Sequence, residues 1–92
     1  MVINKFPDFE EVFASKGRSK IIKLLCRHGE LNISYIIKET KINHASMAEH
    51  LEYFVQIGLI QEKIFGRIKI YRYCIENPKA RALQRLIEFW EQ

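Results

Sequence analysis

Residues 32–60 read NISYIIKETKINHASMAEHLEYFVQIGLI, and two caps and two apolar stripes within them decide how the chain folds. Asn32 can accept a backbone N–H at the start of a helix whose apolar side carries Ile33, Ile36 and Ile37. The segment Thr40-Lys41-Ile42-Asn43 has no periodicity of its own, and Asn43 is a second cap. Beyond it, turning each residue by about 100° gathers Met47, Leu51, Phe54 and Val55 on one side of a helix that runs to about Ile57, before Gly58. Two helices joined by a four-residue turn predict a helix-turn-helix over about residues 32–57.

Outward from this centre, the alternation from Leu59 to Ile64, the Phe65-Gly66 tip and the run Arg67 to Ile75 read as a hairpin, a wing over about 59–75. Asn77-Pro78 is a cap followed by an N1 proline, and Ala80, Leu83, Leu86, Ile87 and Trp90 line one face of a last helix over about 78–91. Upstream, Asp8 and Glu11 have capping-box spacing before Phe9, Val12 and Phe13. Gly17 reads as an interruption, and Ile21, Leu24, Leu25 and His28 mark a second helix from about Arg18 to His28, stopped at Gly29. Glu30-Leu31 reads as a brief extended link. The expected fold is α+β, mainly α: one winged helix-turn-helix domain over 1–92, with a two-stranded wing and a C-terminal dimerisation helix.

Ninety-two residues leave no room for a catalytic domain beside such a unit. The chain is 48% hydrophobic and 28% charged, a globular balance rather than a disordered one. No apolar run approaches the roughly 20 residues of a membrane helix, and the N-terminus lacks a leader pattern, so no membrane is expected and the location is read as cytoplasmic. The net charge of +4 favours an anionic partner. Cys26 and Cys74 lie too far apart for a zinc site and read as buried reduced thiols, so no metal and no cofactor is expected. Without a Gly-rich phosphate loop, a ligand cluster or a nucleophile with a partner, the chain is not expected to be an enzyme.

The expected partner is double-stranded DNA. In a helix-turn-helix the start of the second helix enters the major groove, which makes His44, Ala45, Ser46 and Glu49 the candidate base readers. Ala45 suits a thymine methyl, Ser46 can donate or accept, and Glu49 can accept from cytosine N4. Tyr53 is expected one turn on, its hydroxyl offered to a phosphate. Lys38 and Lys41 flank the turn, and Lys63, Arg67 and Lys69 surround the wing tip, placed to reach the backbone or the minor groove. His50 reads as a half-buried structural histidine, Tyr71 and Tyr73 as core rings, and the run Lys16, Arg18, Lys20, Lys23 as a solvated face. Leu83, Ile87 and Trp90 on the last helix, with Phe6, Phe9 and Phe13 near the start, exceed what so small a core absorbs and predict a homodimer. Twofold symmetry would set two recognition helices roughly 34 Å apart.

Three stretches carry a resemblance over Arg18 to Tyr73, about two-thirds of the chain. They are RSKIIKLL from Arg18 before Gly29-Glu-Leu-Asn-Ile-Ser, the run from Ile42 to Ile60 with His50-Leu51 and Gly58-Leu59-Ile60, and GRIKIYRY from Gly66. In order and wording they resemble the ArsR-like winged helix-turn-helix regulators of bacteria and archaea, which implies a DNA-binding transcription regulator. The metal-sensing members of that family carry a Cys motif on the helix that here reads ISYIIKE from Ile33, or acidic and His ligands on the last helix; neither is present, so the resemblance does not imply a metal sensor. Lys41 stands where a turn glycine is common. The rival expectation is the same fold used as a protein interaction module without its own DNA specificity.

Overall fold

The computed structural model describes residues 8–92. Its elements run α1 (Phe9–Val12), α2 (Lys16–His28), β1 (Glu30–Asn32), α3 (Ile33–Thr40), α4 (His44–Gln56), β2 (Ile60–Phe65), β3 (Ile68–Tyr73) and α5 (Pro78–Trp90).

Short polar side chains start the longer helices. Ser15 Oγ accepts from the Arg18 amide at 3.2 Å, Asn32 Oδ1 from Tyr35 at 2.8 Å, Asn43 Oδ1 from Ser46 at 2.9 Å and Asn77 Oδ1 from Lys79 at 2.9 Å. Each satisfies an amide that the helix cannot, a contribution of about 1 kcal/mol. The expected cap at Asp8 does not form. There the Glu11 amide donates to the Asp8 carbonyl at 2.9 Å instead, closing one short turn without the carboxylate.

Two boundaries differ from the sequence expectation for physical reasons. Gly17 lies inside α2 rather than before it. A Cβ there would stand 3.3 Å from both His50 Nε2 and Ile42 Cδ1, so the missing side chain lets the start of α2 approach α4. The Glu30-Leu31 link is the strand β1, which joins β3 and β2 in an antiparallel sheet of order β1-β3-β2. The wing hairpin thus gains a third strand, with Leu31 opposite Tyr71 and Glu62 opposite Tyr71 from the other side.

The core gathers Ile21, Ile22 and Leu25 of α2, Ile36 of α3, Met47, Leu51 and Phe54 of α4, and Leu59, Ile60, Tyr71 and Tyr73. Full burial of each large apolar side chain is worth about 1.5–3 kcal/mol, more than any exposed ion pair here can supply. Val55, expected with this stripe, is 36% exposed. At about 100° per residue it sits some 80° around from Met47 and falls on the flank. His28 is exposed as well and packs edge-on to Tyr35, 5.7 Å between centroids.

Tyr71 and Tyr73 are core rings whose hydroxyls are satisfied. Tyr71 donates to Glu62 Oε2 at 2.6 Å and Tyr73 to the Ala80 carbonyl at 2.7 Å. Burial, the first cause for both, raises both phenol pKa values far above the ordinary range. Cys26 and Cys74 are buried and free, and burial pushes the Cys26 thiol up to about 11, which keeps it protonated and unreactive at neutral pH. Among the described residues no helix is long and apolar enough to cross a membrane.

Candidate nucleic-acid interface

The turn between α3 and α4 is built by two residues. Buried Thr40 donates its hydroxyl to the Ile36 carbonyl at 2.7 Å and accepts from the Ile42 amide at 3.4 Å. Lys41 then takes the left-handed conformation at φ 60, with its amide on the Ile37 carbonyl at 2.8 Å. A turn glycine would adopt that backbone freely, whereas a lysine does so at a cost of about 1 kcal/mol. The lysine side chain is exposed beside the first turn of α4, and Lys38 is exposed one turn before it.

On α4 itself His44, Ala45 and Glu49 stand in solvent, and Ser46 is half-buried. Ala45 and Glu49 lie nearly opposite the Met47 stripe, whereas Ser46 and Tyr53 lie only about 100–120° from it. That offset corrects the expectation for Tyr53. Its ring sits at the seam with α2, under the Arg18 guanidinium at 3.8 Å from the ring centroid, and its hydroxyl is buried with no hydrogen-bond partner. The guanidinium lies over the ring face and donates to the Glu11 carbonyl. Burial, then the Glu11 carboxylate, raises the Tyr53 pKa. A hydroxyl so placed is not offered to a phosphate.

His50, one turn earlier on the same seam, is half-buried with Nδ1 unpartnered. Burial first and Arg18 second lower its pKa, with Glu49 opposing. The basic run on α2 is divided in use, since Arg18 covers Tyr53 and Lys23 pairs with Glu91 at 3.3 Å, as does Arg27.

In the wing, Phe65 pairs with Ile68 across a two-residue turn in which only Gly66 has positive φ, the pattern of a type II′ hairpin. Arg67 and Lys69 are exposed and form no ion pair among the described residues. Lys63 reaches Glu30 Oε1 at 3.4 Å across the sheet, a solvent-exposed pair of small net value. Arg72, by contrast, is consumed by Gln61 at 2.9 Å and by Glu76 at 2.8 Å, which holds the Glu76 carboxyl down at about 2.

Phe9 and Trp90, expected at a subunit interface, are 66% and 78% exposed. Phe13, Leu83 and Ile87 are half-buried and pack partly on the chain's own core, while Phe6 lies outside the described residues. An apolar groove of about 370 Å³ runs between α1 and α5, lined by Phe9, Val12, Phe13, Ile57, Leu83 and Leu86 among others. Leu86, 49% exposed, lines this groove; the sequence placed it on the apolar face of the last helix but not at the interface, and it did not single out exposed Phe89, at 72%, or the apolar wing tip, Ile64, Phe65 and Ile68. The signal was present at the tip: neighbours Ile64 and Phe65 point to opposite faces of a strand, so one buried face cannot hold both.

Residues 15–62, just over half of the chain, match the family model of the bacterial regulatory protein, arsR family. No curated protein sequence matches the chain. Among solved structures, HlyU from Vibrio cholerae is similar with a TM-score of 0.77 at 17% identity, over 89% of this chain and 87% of that one. The transcriptional repressor PagR of Bacillus anthracis gives 0.69 at 25% identity, over 84% and 85%. A homodimeric winged helix-turn-helix DNA-binding domain from Mycobacterium bovis, titled a possible ArsR-family transcriptional regulator, gives 0.70 at 22% identity, over 88% and 72%. The shared architecture is the winged helix-turn-helix.

Proposed function

This chain belongs to the ArsR family of bacterial regulatory proteins, and from that premise we propose that it is a sequence-specific double-stranded DNA-binding transcription regulator acting as a homodimer. Family and fold are those of transcriptional regulators. The observation that carries the finer reading is the division of exposed chemistry between α4 and the wing. His44, Ala45 and Glu49 form a small, nearly bare surface at the start of α4, with half-buried Ser46 at its margin, right after the cationic turn. That surface enters the major groove and reads base edges. Lys38 and Lys41 hold one phosphate strand, and Lys63, Arg67 and Lys69 bring the wing to the backbone or the minor groove.

The twofold contact is made by Phe9, Phe13, Leu83, Ile87 and Trp90, joined by Leu86 and Phe89. What supports it is the exposure of so much aromatic surface along one side of α1 and α5, and the homodimeric state of the Mycobacterium bovis domain of the same fold.

Fluorescence anisotropy with mixed duplex DNA at two salt concentrations, with light scattering for mass, tests both parts. Binding that weakens steeply with salt from a particle of dimer mass supports the regulator. A monomer that binds no duplex at low salt overturns it and favours the protein interaction module.

A further inference from the structure

The far end of the β2–β3 hairpin keeps three bulky apolar side chains in water: Ile64, Phe65 and Ile68 are 60%, 58% and 54% exposed. Phe65 faces Ile68 across the turn on one side of the hairpin, and Ile64 faces Lys69 on the other. The tip is narrow, because two residues close it, and it stands clear, since a Cβ at Gly66 would meet nothing within 4 Å. None of the three belongs to the core or packs against it. With more than half of each side chain in water, much of its burial is forgone, so a grouped set on a projecting end is the mark of a contact surface.

Charge decides which contact. Arg67 and Lys69 flank these side chains with no counter-ion among the described residues, and Lys63 is held only by the exposed Glu30. An apolar protein surface closing over the tip would strand two cations. The minor groove of DNA offers phosphates along both rims and, between them, deoxyribose and base edges that accept an apolar side chain. We infer that the wing tip is an apolar wedge for the minor groove, Phe65 and Ile68 pressing between sugars at a base step while Arg67 and Lys69 hold the flanking phosphates. The inference rests on the reading of this chain as a DNA-binding regulator. It adds a second source of sequence preference: a wedge favours steps that unstack easily, so the wing selects deformable DNA at positions α4 never touches.

The test uses two labelled duplexes of about 30 base pairs, roughly three turns. One alternates T and A and is rich in flexible TA steps; the other is a stiff A-tract of the same composition. The double variant Phe65→Ser/Ile68→Ser keeps Gly66, Arg67 and Lys69, and its thermal melt reports whether the fold persists. The wild type is expected to prefer the alternating duplex. The double variant is expected to lose about tenfold on it, to bind both duplexes alike and to keep the wild-type salt slope, while Phe65→Leu/Ile68→Leu restores the preference. Unchanged affinity and preference in a folded serine variant overturns the wedge while the regulator reading stands. So does a variant that binds DNA normally but loses dimer mass, which assigns the tip to protein contact. A wild type that binds neither duplex at low salt overturns the regulator reading itself, and the wedge with it.

Discussion

Between His44 and Gln56 there is no lysine or arginine, only Glu49 and Glu52; between Ile60 and Tyr73 stand Lys63, Arg67, Lys69 and Arg72 against Glu62 alone. The helix that reads in a helix-turn-helix is here acidic, and the hairpin beside it is basic. A carboxylate near phosphates is repelled unless a base edge or a cation meets it, so α4 is suited to discrimination and poorly suited to attraction. The wing and the Lys41 turn have the opposite balance. On the proposed reading, base-edge recognition falls to α4 and attraction to the phosphate backbone to the cations of the wing and turn, so each should be removable without the other.

The largest effect is expected from Arg67→Ala with Lys69→Ala. Affinity should fall tenfold or more for every duplex alike, and the slope of log affinity against log salt should shrink by about two, one for each phosphate contact. Anisotropy titrations across salt measure both; a loss confined to one sequence breaks the comparison by giving the wing a base-reading role. Next, Glu49→Gln should re-rank duplexes, moving preference at one position from a cytosine to an adenine by about 1–3 kcal/mol. Selection from a random duplex pool before and after the change reads this directly. An unaltered ranking would mean that α4 does not read through Glu49.

Tyr53→Phe sharpens the boundary of the reading face. Deleting a buried hydroxyl that has no partner should stabilise the fold by about 1 kcal/mol, a rise of some 4–8 °C in melting temperature, and should leave DNA affinity unchanged. A drop in affinity instead would return Tyr53 to the interface. Lys41→Gly separates the two roles of the turn: relief of the left-handed backbone should add up to about 1 kcal/mol of stability, while loss of the cation weakens binding two- to threefold. The smallest effect concerns pH. His50 has a depressed pKa in the fold, so the unfolded chain takes up the proton first, and stability should decline as pH falls below about 6.5. His50→Gln should flatten that decline in melts recorded from pH 7 to pH 5.

Most of the fold was legible because its punctuation is chemical. Asn32, Asn43 and Asn77 each make the cap that their position announced, and Gly29 and Gly58 take positive φ where the helices stop. What escaped the sequence depends on contacts between distant segments. Three residues, Glu30 to Asn32, show no alternation that marks a strand; β3 makes them one. Gly17 resembles a break until α4 is seen against it. Tyr53 points outward on a wheel that ignores α2, and Arg18 is what claims it. The candidate site was legible as a region, α4 and the wing, because those positions follow from the motif. Its apolar tip was passed over: the adjacency of Ile64 and Phe65 hinted at it, but only their exposure together with that of Ile68 makes it a surface.

Asn77 bears on where this protein can be cut and transplanted. Its amide donates Nδ2 to the Gly58 carbonyl at 2.9 Å while its Oδ1 caps α5, and the Tyr73 hydroxyl crosses to Ala80. A fragment ended at Tyr73, where the hairpin finishes, would take from the Gly58 carbonyl its Asn77 donor and from a buried phenol its Ala80 acceptor. A portable helix-turn-helix and wing therefore extends at least through Ala80, and grafting it onto another scaffold means carrying α5 along, since Leu83 and Ile87 also pack on the core.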